Sequence, residues 1–449
     1  MIAGTSSGVG KTTVTSGLMR LLASRGGLSV GAAKVGPDFI DPGYHRIATG
    51  SASRNLDPFL SGPDQVPIVA WKAGAGRDIL VIEGVMGLFD GALLEGAPPT
   101  STAAVAAMLG APIVLVVDAS GMSTSIAAVA SGYRNFATDV EVAGVIVNRV
   151  ASPSHGDATR AALEAAGIPL FGMIPRDQRL HFESRHLGLI PVVESPEKVS
   201  ADLDCIASVL AESLDVDALV RLARSARAID VSQESLEEVE IAASKARVGI
   251  LSGSAFSFVY PDNAEALVAQ GAELIGVDPL SEETLPSDLD ALYLPGGFPE
   301  VFAAQLSANR RWLDELAALV DRGVPTWAEC GGLLVLADSL DSIAMAGALR
   351  TSAQTGSRAR LGYVEVKVQR QSPLAMQGQT LFGHEFHYTT TDPLGDGLMI
   401  RSRHGVRVEG FVNSSIFASY VHLHLSRSPE VARRLVGAAA AFRLAKTNS

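Results

Sequence analysis

Ten residues near the start of the chain, Gly4-Thr5-Ser6-Ser7-Gly8-Val9-Gly10-Lys11-Thr12-Thr13, restrict the possible fold more than any other stretch. They lie between the apolar Met1-Ile2-Ala3 and a run in which Val14, Leu18, Leu21 and Leu22 mark one helical face. Strand, glycine turn and helix in that order make a loop whose backbone N–H groups can curl round phosphate oxygens, with the helix N-terminus adding favourable potential. Gly8 and Gly10 give the turn its freedom, Lys11 reaches the terminal phosphates, the Thr12 hydroxyl is placed to ligate Mg²⁺, and Thr13 closes the loop. The strict pattern puts a glycine six residues before the lysine; here Thr5 stands there, with Gly4 one position earlier. Such a loop caps a strand of about five residues, so the first strand is short or the true start lies upstream.

The rest of the chain extends the α/β reading. Ser29 to Ala33, Ile79 to Ile82, Ile113 to Val117 and Val145 to Val147 are short runs apolar on both faces, as buried parallel strands require, and helical stretches such as Ala158 to Ala166 separate them. From about 195 to 245 the sequence turns polar, acidic and helix-favouring: Asp202, Leu203, Cys205, Val209 and Leu210 fall at helical spacing, and an acidic run from Glu234 to Glu240 follows. A second alternation begins at Arg247 to Leu251 and continues through a helix at Asn263 to Ala269 and strands at Leu274 to Val277 and Ala291 to Leu294. Past residue 360 the period becomes two in Gly362 to Val368, the mark of a half-exposed antiparallel strand. The expected organisation is a phosphate-loop, parallel-sheet domain over 1–190, a helical extension and linker over 191–245, and a second α/β domain over 246–449.

Composition limits the partners. With 449 residues, 47% of them hydrophobic, the chain can bury the cores of two or three domains. Its 36 basic and 48 acidic residues leave a net charge of −12, which argues against nucleic acid or an anionic membrane as partner, so an anionic ligand must be gripped locally. No run reaches the roughly 18 apolar residues of a membrane span. Two cysteines, Cys205 and Cys330, cannot make a disulfide framework, and free thiols point to the cytoplasm. Cys205 reads as a small apolar group on a helix.

Several stretches hold more functional groups than a fold needs. Lys34, Asp38, Asp41 and His45 follow one strand, where α/β ligand sites gather, and Glu83 ends another, placed to hold Mg²⁺ directly or through water beside the phosphate loop. Either Asp41 or Glu83 could instead cap a loop. Asn148 and Arg149 end a third strand, suited to an adenine edge and a carboxylate respectively. In the second half, Cys330 sits in Ala328-Glu329-Cys330-Gly331-Gly332 between the strand-like Pro325 to Trp327 and the helical Leu333 to Leu336. A thiol on a tight strand-to-helix turn lies at a helix N-terminus, which lowers its pKa and supplies oxyanion donors from Gly331. The glycines of Leu294 to Glu300, Gly296 and Gly297, are placed to complete the oxyanion hole. Alternation in Tyr420 to His424 puts His422 and His424 on one face, one to activate Cys330 and the other to orient it or touch substrate. A zinc pair of His422 and His424, joined by His384 and His387, is the rival reading, weakened by the lack of a second cysteine.

Taken in order, Gly4 to Thr13, Lys34 to His45, Glu83 to Gly91, Leu294 to Glu300, Ala328 to Gly332, His384 to Tyr388 and Tyr420 to His424 resemble the cobyrinic or hydrogenobyrinic acid a,c-diamide synthase family over nearly the whole chain. The first half is similar to dethiobiotin synthetase, which implies Mg²⁺ roles for Thr12, Asp41 and Glu83 and an adenine role for Asn148. The second half is similar to triad-type (class I) glutamine amidotransferases, which usually carry a Glu two residues after the histidine; His424 stands there, favouring His422 as the base. The resemblance implies ATP and L-glutamine as co-substrates, Mg²⁺ as cofactor and a tetrapyrrole polycarboxylate as acceptor. Asp38, His45, Arg149, His384, Glu385 and His387 are then expected to line the acceptor site, and a homodimer is one assembly this reading admits. The same amidation of nickel sirohydrochlorin and the reaction of cobyric acid synthase are its neighbours. A partition-type ATPase switch would carry a lysine five residues before Lys11, where this chain has Ser6.

Overall fold

A computed structural model describes residues 1–24, 27–92, 94–185, 188–232 and 246–447. The acidic run from 234 to 240 lies outside the described residues. The chain divides into two compact units, one of Met1–Pro58, Gly62–Ala92 and Pro98–Leu236, the other of Phe59–Ser61, Leu93–Ala97 and Glu237–Ser449.

The first unit is built on seven parallel strands: β1 (Ile2–Gly4), β2 (Val30–Val35), β3 (Ser53–Leu56), β4 (Ile79–Glu83), β5 (Ile113–Asp118), β6 (Val142–Val150) and β7 (Leu170–Pro175). Their order, β3-β2-β4-β1-β5-β6-β7, places the three-residue β1 between β4 and β5. Every residue of β1 and β2 is buried, as strands covered on both faces must be. The covering helices are α1 (Lys11–Ser24), α2 (Asp41–Thr49), α3 (Gln65–Gly74), α4 (Thr102–Leu109), α5 (Ser125–Asn135), α6 (Pro153–Ala165), α7 (Pro196–Ser213) and α8 (Val216–Ser225), with a short hairpin of β8 (Ser184–Arg185) and β9 (Gly188–Leu189) between α6 and α7. On α1 the expected stripe Val14, Leu18, Leu21 and Leu22 is buried. The loops that leave β1, β2 and β4 emerge at the same carboxyl edge, the place where open parallel sheets bind ligands.

In the second unit, β10 (Ala246–Leu251), β11 (Ala272–Val277), β12 (Ala291–Leu294), β13 (Thr326–Glu329) and β21 (Ile416–Ser419) run parallel in the order β11-β10-β12-β13-β21, and β20 (Phe411–Val412) adds an antiparallel edge. A second sheet orders β15 (Ile343–Ala344), β14 (Ala337–Leu340), β16 (Leu349–Val368), β17 (Thr380–Asp392) and β22 (His422–Leu423), with β18 (Leu398–Ser402) and β19 (Gly405–Glu409) attached through β16. The helices are α9 (Pro261–Ala269), α10 (Ala303–Ala308), α11 (Arg310–Asp321), α12 (Gly331–Leu336) and α13 (Pro429–Thr447). The period-two stretch Gly362 to Val368 pairs antiparallel with both β17 and β18. Among the described residues, no helix is long and apolar enough to cross a membrane.

Candidate functional site

Each unit carries its own cluster. In the first, Lys34 and Glu83 are register partners across β2 and β4. Lys34 Nζ lies 2.5 Å from Asp41 Oδ2, 2.8 Å from Glu83 Oε1 and 3.8 Å from Asp38 Oδ2. Thr12 Oγ1 donates to Glu83 Oε1 at 2.6 Å and lies 3.2 Å from Asp41 Oδ2. One hydroxyl and two carboxylates thus converge on a small volume, an all-oxygen donor set of the kind a hard divalent cation takes. Burial works against both ions of this cluster. Even so, Asp41, Glu83 and Asp38 hold the Lys34 ammonium above its ordinary range, and Lys34 with His45 pulls the Glu83 carboxyl below its own. Asp41 is pushed up, by burial first and then by Asp38.

His45 has a different place from the one expected of an acceptor contact. It is fully buried on α2; Nε2 donates to Glu83 Oε2 at 2.7 Å and Nδ1 meets Ser53 Oγ at 2.9 Å. With both ring nitrogens engaged, it orients Glu83 instead of reaching a ligand. Asp38 Oδ1 accepts from the backbone N–H groups of Ile40 and Asp41 at 2.8 and 3.0 Å, so the loop-capping role belongs to Asp38 and not to Asp41 or Glu83.

The phosphate loop is braced from β6. Asn148 Nδ2 donates to Val9 O at 2.8 Å, and a Cβ on Gly10 would overlap that amide, so the loop tolerates only glycine there. Arg149, at φ 61°, pairs with Asp118 and donates to Gly8 O at 3.0 Å. Lys11 Nζ donates to Ser6 O at 2.9 Å; burial, with Lys34 nearby, brings its pKa down to about 8. Gly10, Thr13, Asn148, Arg149 and Pro175 border a cavity of about 580 Å³ beside the loop.

The second cluster centres on Cys330, at φ 47° and ψ −101° between β13 and α12. A non-glycine residue held at positive φ on a strand-to-helix turn is strained, and such strain concentrates at functional sites. Cys330 N donates to Ser419 O at 2.8 Å, tying the turn to β21. A Cβ on Gly296 would overlap the His422 ring, and the Cβ position of Gly331 lies 3.1 Å from Gly297 N. The Gly296–Gly297 loop therefore touches both the residue after Cys330 and the His422 imidazole, bringing the expected oxyanion donors and base together.

The thiol departs from expectation. Burial pushes Cys330 up, Glu300, Glu329 and Glu385 add to it, and the Gly331 N–H only partly opposes them. A helix of six residues offers too little potential to offset the lost hydration. Cys330 thus rests as a thiol and needs a base. Burial, then His384 and His387, holds His422 well below its ordinary value, so its imidazole is neutral, the form that accepts a proton.

The other candidates sit inside the same unit. His384 pairs with His422 across β17 and β22, stacks on its ring at 5.0 Å and shares a 2.7 Å hydrogen bond with the Tyr260 hydroxyl. Burial brings the His384 pKa down to about 3. His424 packs on Tyr260 at 4.8 Å, with Nε2 4.0 Å from Asp262 Oδ2. His387 stacks on Tyr420 at 3.8 Å, and its Nδ1 donates to Thr389 O at 2.7 Å. Glu385, 2% exposed, pairs with Arg407. The odd spacing of His384 and His387 turns them to opposite faces of β17, against both joining His422 and His424 at one zinc, and no group of three or more candidate metal ligands forms among the described residues. Sequence reasoning missed Glu329, Ser53, Tyr260 and Tyr420. The signal for Glu329 was a carboxylate ending a short strand directly before Cys330.

Comparison with known proteins agrees with this two-part layout. Residues 1–190 match the CobQ/CobB/MinD/ParA nucleotide binding domain, and residues 247–430 match the CobB/CobQ-like glutamine amidotransferase domain. The hydrogenobyrinate a,c-diamide synthase of Streptomyces coelicolor is 41% identical, with 97% of this chain and 96% of that protein covered. The enzyme of the same name from Mycobacterium bovis is 42% identical over 98% and 97%, and the cobyrinate a,c-diamide synthase of a Synechococcus species is 40% identical over 96% and 95%. The chain belongs to the family of hydrogenobyrinate and cobyrinate a,c-diamide synthases.

Proposed function

We propose that this chain uses ATP and glutamine to amidate the a and c carboxylates of cobyrinic or hydrogenobyrinic acid. A ligase in residues 1–190 works with a glutaminase in residues 246–449, joined through the segment 191–245. The observation that carries the reading is Cys330 at positive φ, with the Gly296–Gly297 loop touching both its neighbour Gly331 and His422. That arrangement suits acyl transfer, and a chain with a phosphate loop as well has a use for the ammonia released.

In the ligase, a carboxylate oxygen of the macrocycle attacks the terminal phosphorus of ATP, ADP leaves, and an acyl phosphate results. Lys11 leaves Ser6 O for the phosphate oxygens. Thr12, Asp41 and Glu83 are the residues that would hold Mg²⁺, which supplies charge compensation for those oxygens when bound. His45 fixes the Glu83 carboxylate from behind. In the glutaminase, His422 takes the proton from Cys330 Sγ, and the sulfur attacks the side-chain amide carbon of glutamine. Gly297 and Gly331 N–H groups receive the oxyanion. His422 returns the proton to the departing nitrogen, ammonia leaves, and water hydrolyses the glutamyl thioester. Ammonia then displaces phosphate from the acyl phosphate to give the amide. Free thiols at Cys205 and Cys330 support a reducing compartment such as the cytoplasm.

The test has two parts. Cys330→Ala should abolish glutamine-dependent amidation yet retain the reaction with ammonium salts, whereas Lys11→Ala should lose both. Cobyrinic acid, hydrogenobyrinic acid and nickel sirohydrochlorin, each offered with ATP, Mg²⁺ and glutamine, should separate the acceptors by mass spectrometry. No product from any of them overturns the acceptor assignment, and full glutamine use by Cys330→Ala overturns the nucleophile.

A further inference from the structure

A carboxylate sealed in a protein interior is costly unless several donors hold it. Glu329, the last residue of β13 and the one before Cys330, is 1% exposed. Leu423 N donates to Oε1 at 2.8 Å and the Tyr293 hydroxyl donates to Oε2 at 3.0 Å. The Tyr293 ring is itself fixed by stacking on Trp327 at 4.0 Å. A structural pin between β13 and β22 would need only the Leu423 bond, which a neutral amide could accept equally well. The second oxygen has another neighbour: His422 Nδ1 lies 3.9 Å from Glu329 Oε2.

We infer that Glu329 is the positioning residue for His422, aligning its imidazole through Nδ1 and receiving the positive charge that forms when His422 deprotonates Cys330. The inference rests on the proposed glutaminase reading of this site. The position two residues after His422 does not serve, because the His424 ring lies by Tyr260 and Asp262. His422 cannot swing far, since His384 stacks on one side and the Gly296 loop touches its ring. Closing 3.9 Å to a hydrogen bond of roughly 2.9 Å therefore takes a small tilt, the kind of tightening that catalytic contacts undergo when substrate binds. In the step itself the Sγ–H bond breaks, its electron pair stays on sulfur, and the proton goes to Nε2. The Nδ1–H of the imidazolium is then donated to Oε2. Burial pushes the Glu329 carboxyl up to about 8 against the Leu423 and Tyr293 bonds that favour its charge, and an imidazolium forming on His422 favours the ionised form that accepts the Nδ1–H.

Glu329→Gln keeps the shape and removes the ionisable carboxyl. Glutamine-supported kcat should fall by about 100-fold, the scale of acid–base assistance. KM for glutamine should move by less than about twofold, since no uniform binding contact is lost. Ammonium-supported amidation should continue, which shows that the chain is folded, and Glu329→Asp should recover part of the loss. Inactivation of Cys330 by a diazoketone analogue of glutamine supplies a readout that a purely structural role would not move in this way. Glu329→Gln should slow it in the wild-type background and add nothing in a His422→Ala background. A further slowing in that double variant, or a change confined to KM, overturns the inference. Unchanged Glu329→Gln alongside inactive Cys330→Ala overturns the positioning role alone, while active Cys330→Ala overturns the glutaminase reading beneath it.

Discussion

A lysine meant for phosphate serves only while it is protonated, and Lys11 is set where that protonation depends on its ligand. Burial with Lys34 close by brings its pKa from 10.5 to about 8. Between those values the unfolded chain keeps the proton that the folded chain has released, so Lys11 contributes more to stability as pH rises through that window. Nucleotide phosphates favour the ammonium, so ATP binding just above pH 8 should take up a proton. Calorimetry in two buffers of different ionisation enthalpy should reveal the uptake, and Lys11→Met should abolish it; equal apparent enthalpies in the two buffers would refute the account. Gly296 makes a second residue-scale case. A Cβ there overlaps the His422 ring, and overpacking of this kind costs about 1–3 kcal/mol when neighbours must move. Gly296→Ala should therefore displace the base and lower glutamine-supported turnover by at least about tenfold, with ammonium-supported turnover as the comparison that isolates the effect.

At the scale of elements, α7 joins the first unit by packing on α1. A Cβ on Gly17 would sit 2.7 Å from Leu210 Cδ1 and closer still to Ile206, so the two helices meet at a glycine with no slack. Leu210→Ala leaves a cavity at that contact, for which about 2–5 kcal/mol is expected. Thermal melting should fall accordingly, with α1 and α7 losing hydrogen-exchange protection together; loss in α7 alone would separate it from the first unit's core. This packing also shows what the chain reveals in one dimension. The α1 stripe, the buried strands and the glycine turns are legible because period and punctuation are local properties. Alternation places His422 and His424 on one face; in the fold His422 stacks on His384 and His424 packs on Tyr260, two rings that also touch each other. Contacts that depend on register are not legible. Glu83 meets His45 only because β2 and β4 pair in one alignment and α2 folds back over β2, so His45 reads from the sequence as a ligand contact. Glu329 finds Tyr293 36 residues away and Leu423 94 residues away, separations that no motif spans. The thiol of Cys330 misled for a related reason: the turn was legible, but the burial that outweighs its short helix comes from the whole unit.

Over the whole molecule, a net charge of −12 sits against ligands that are themselves anionic. Long-range fields oppose the approach of ATP and of a polycarboxylate, while Lys11, Lys34 and backbone N–H groups attract them only at close quarters. The two contributions respond differently to salt. At about 0.15 M ionic strength the screening length is ~8 Å, so repulsion from distant surface carboxylates is largely removed, whereas pairs within a buried cluster are screened much less. An enzyme that steers anions with a basic surface loses kcat/KM steeply as salt rises. This chain should do the reverse: kcat/KM for the tetrapyrrole, measured with ammonium as the nitrogen source to leave the glutaminase out, should hold or rise modestly as salt increases from about 20 to 150 mM. A steep fall would mean that a basic approach path outweighs the acidic total. The weak-salt response follows from grip by a few buried groups, because a cation such as Lys34, 3% exposed and already set among three carboxylates, projects little field beyond its own cluster.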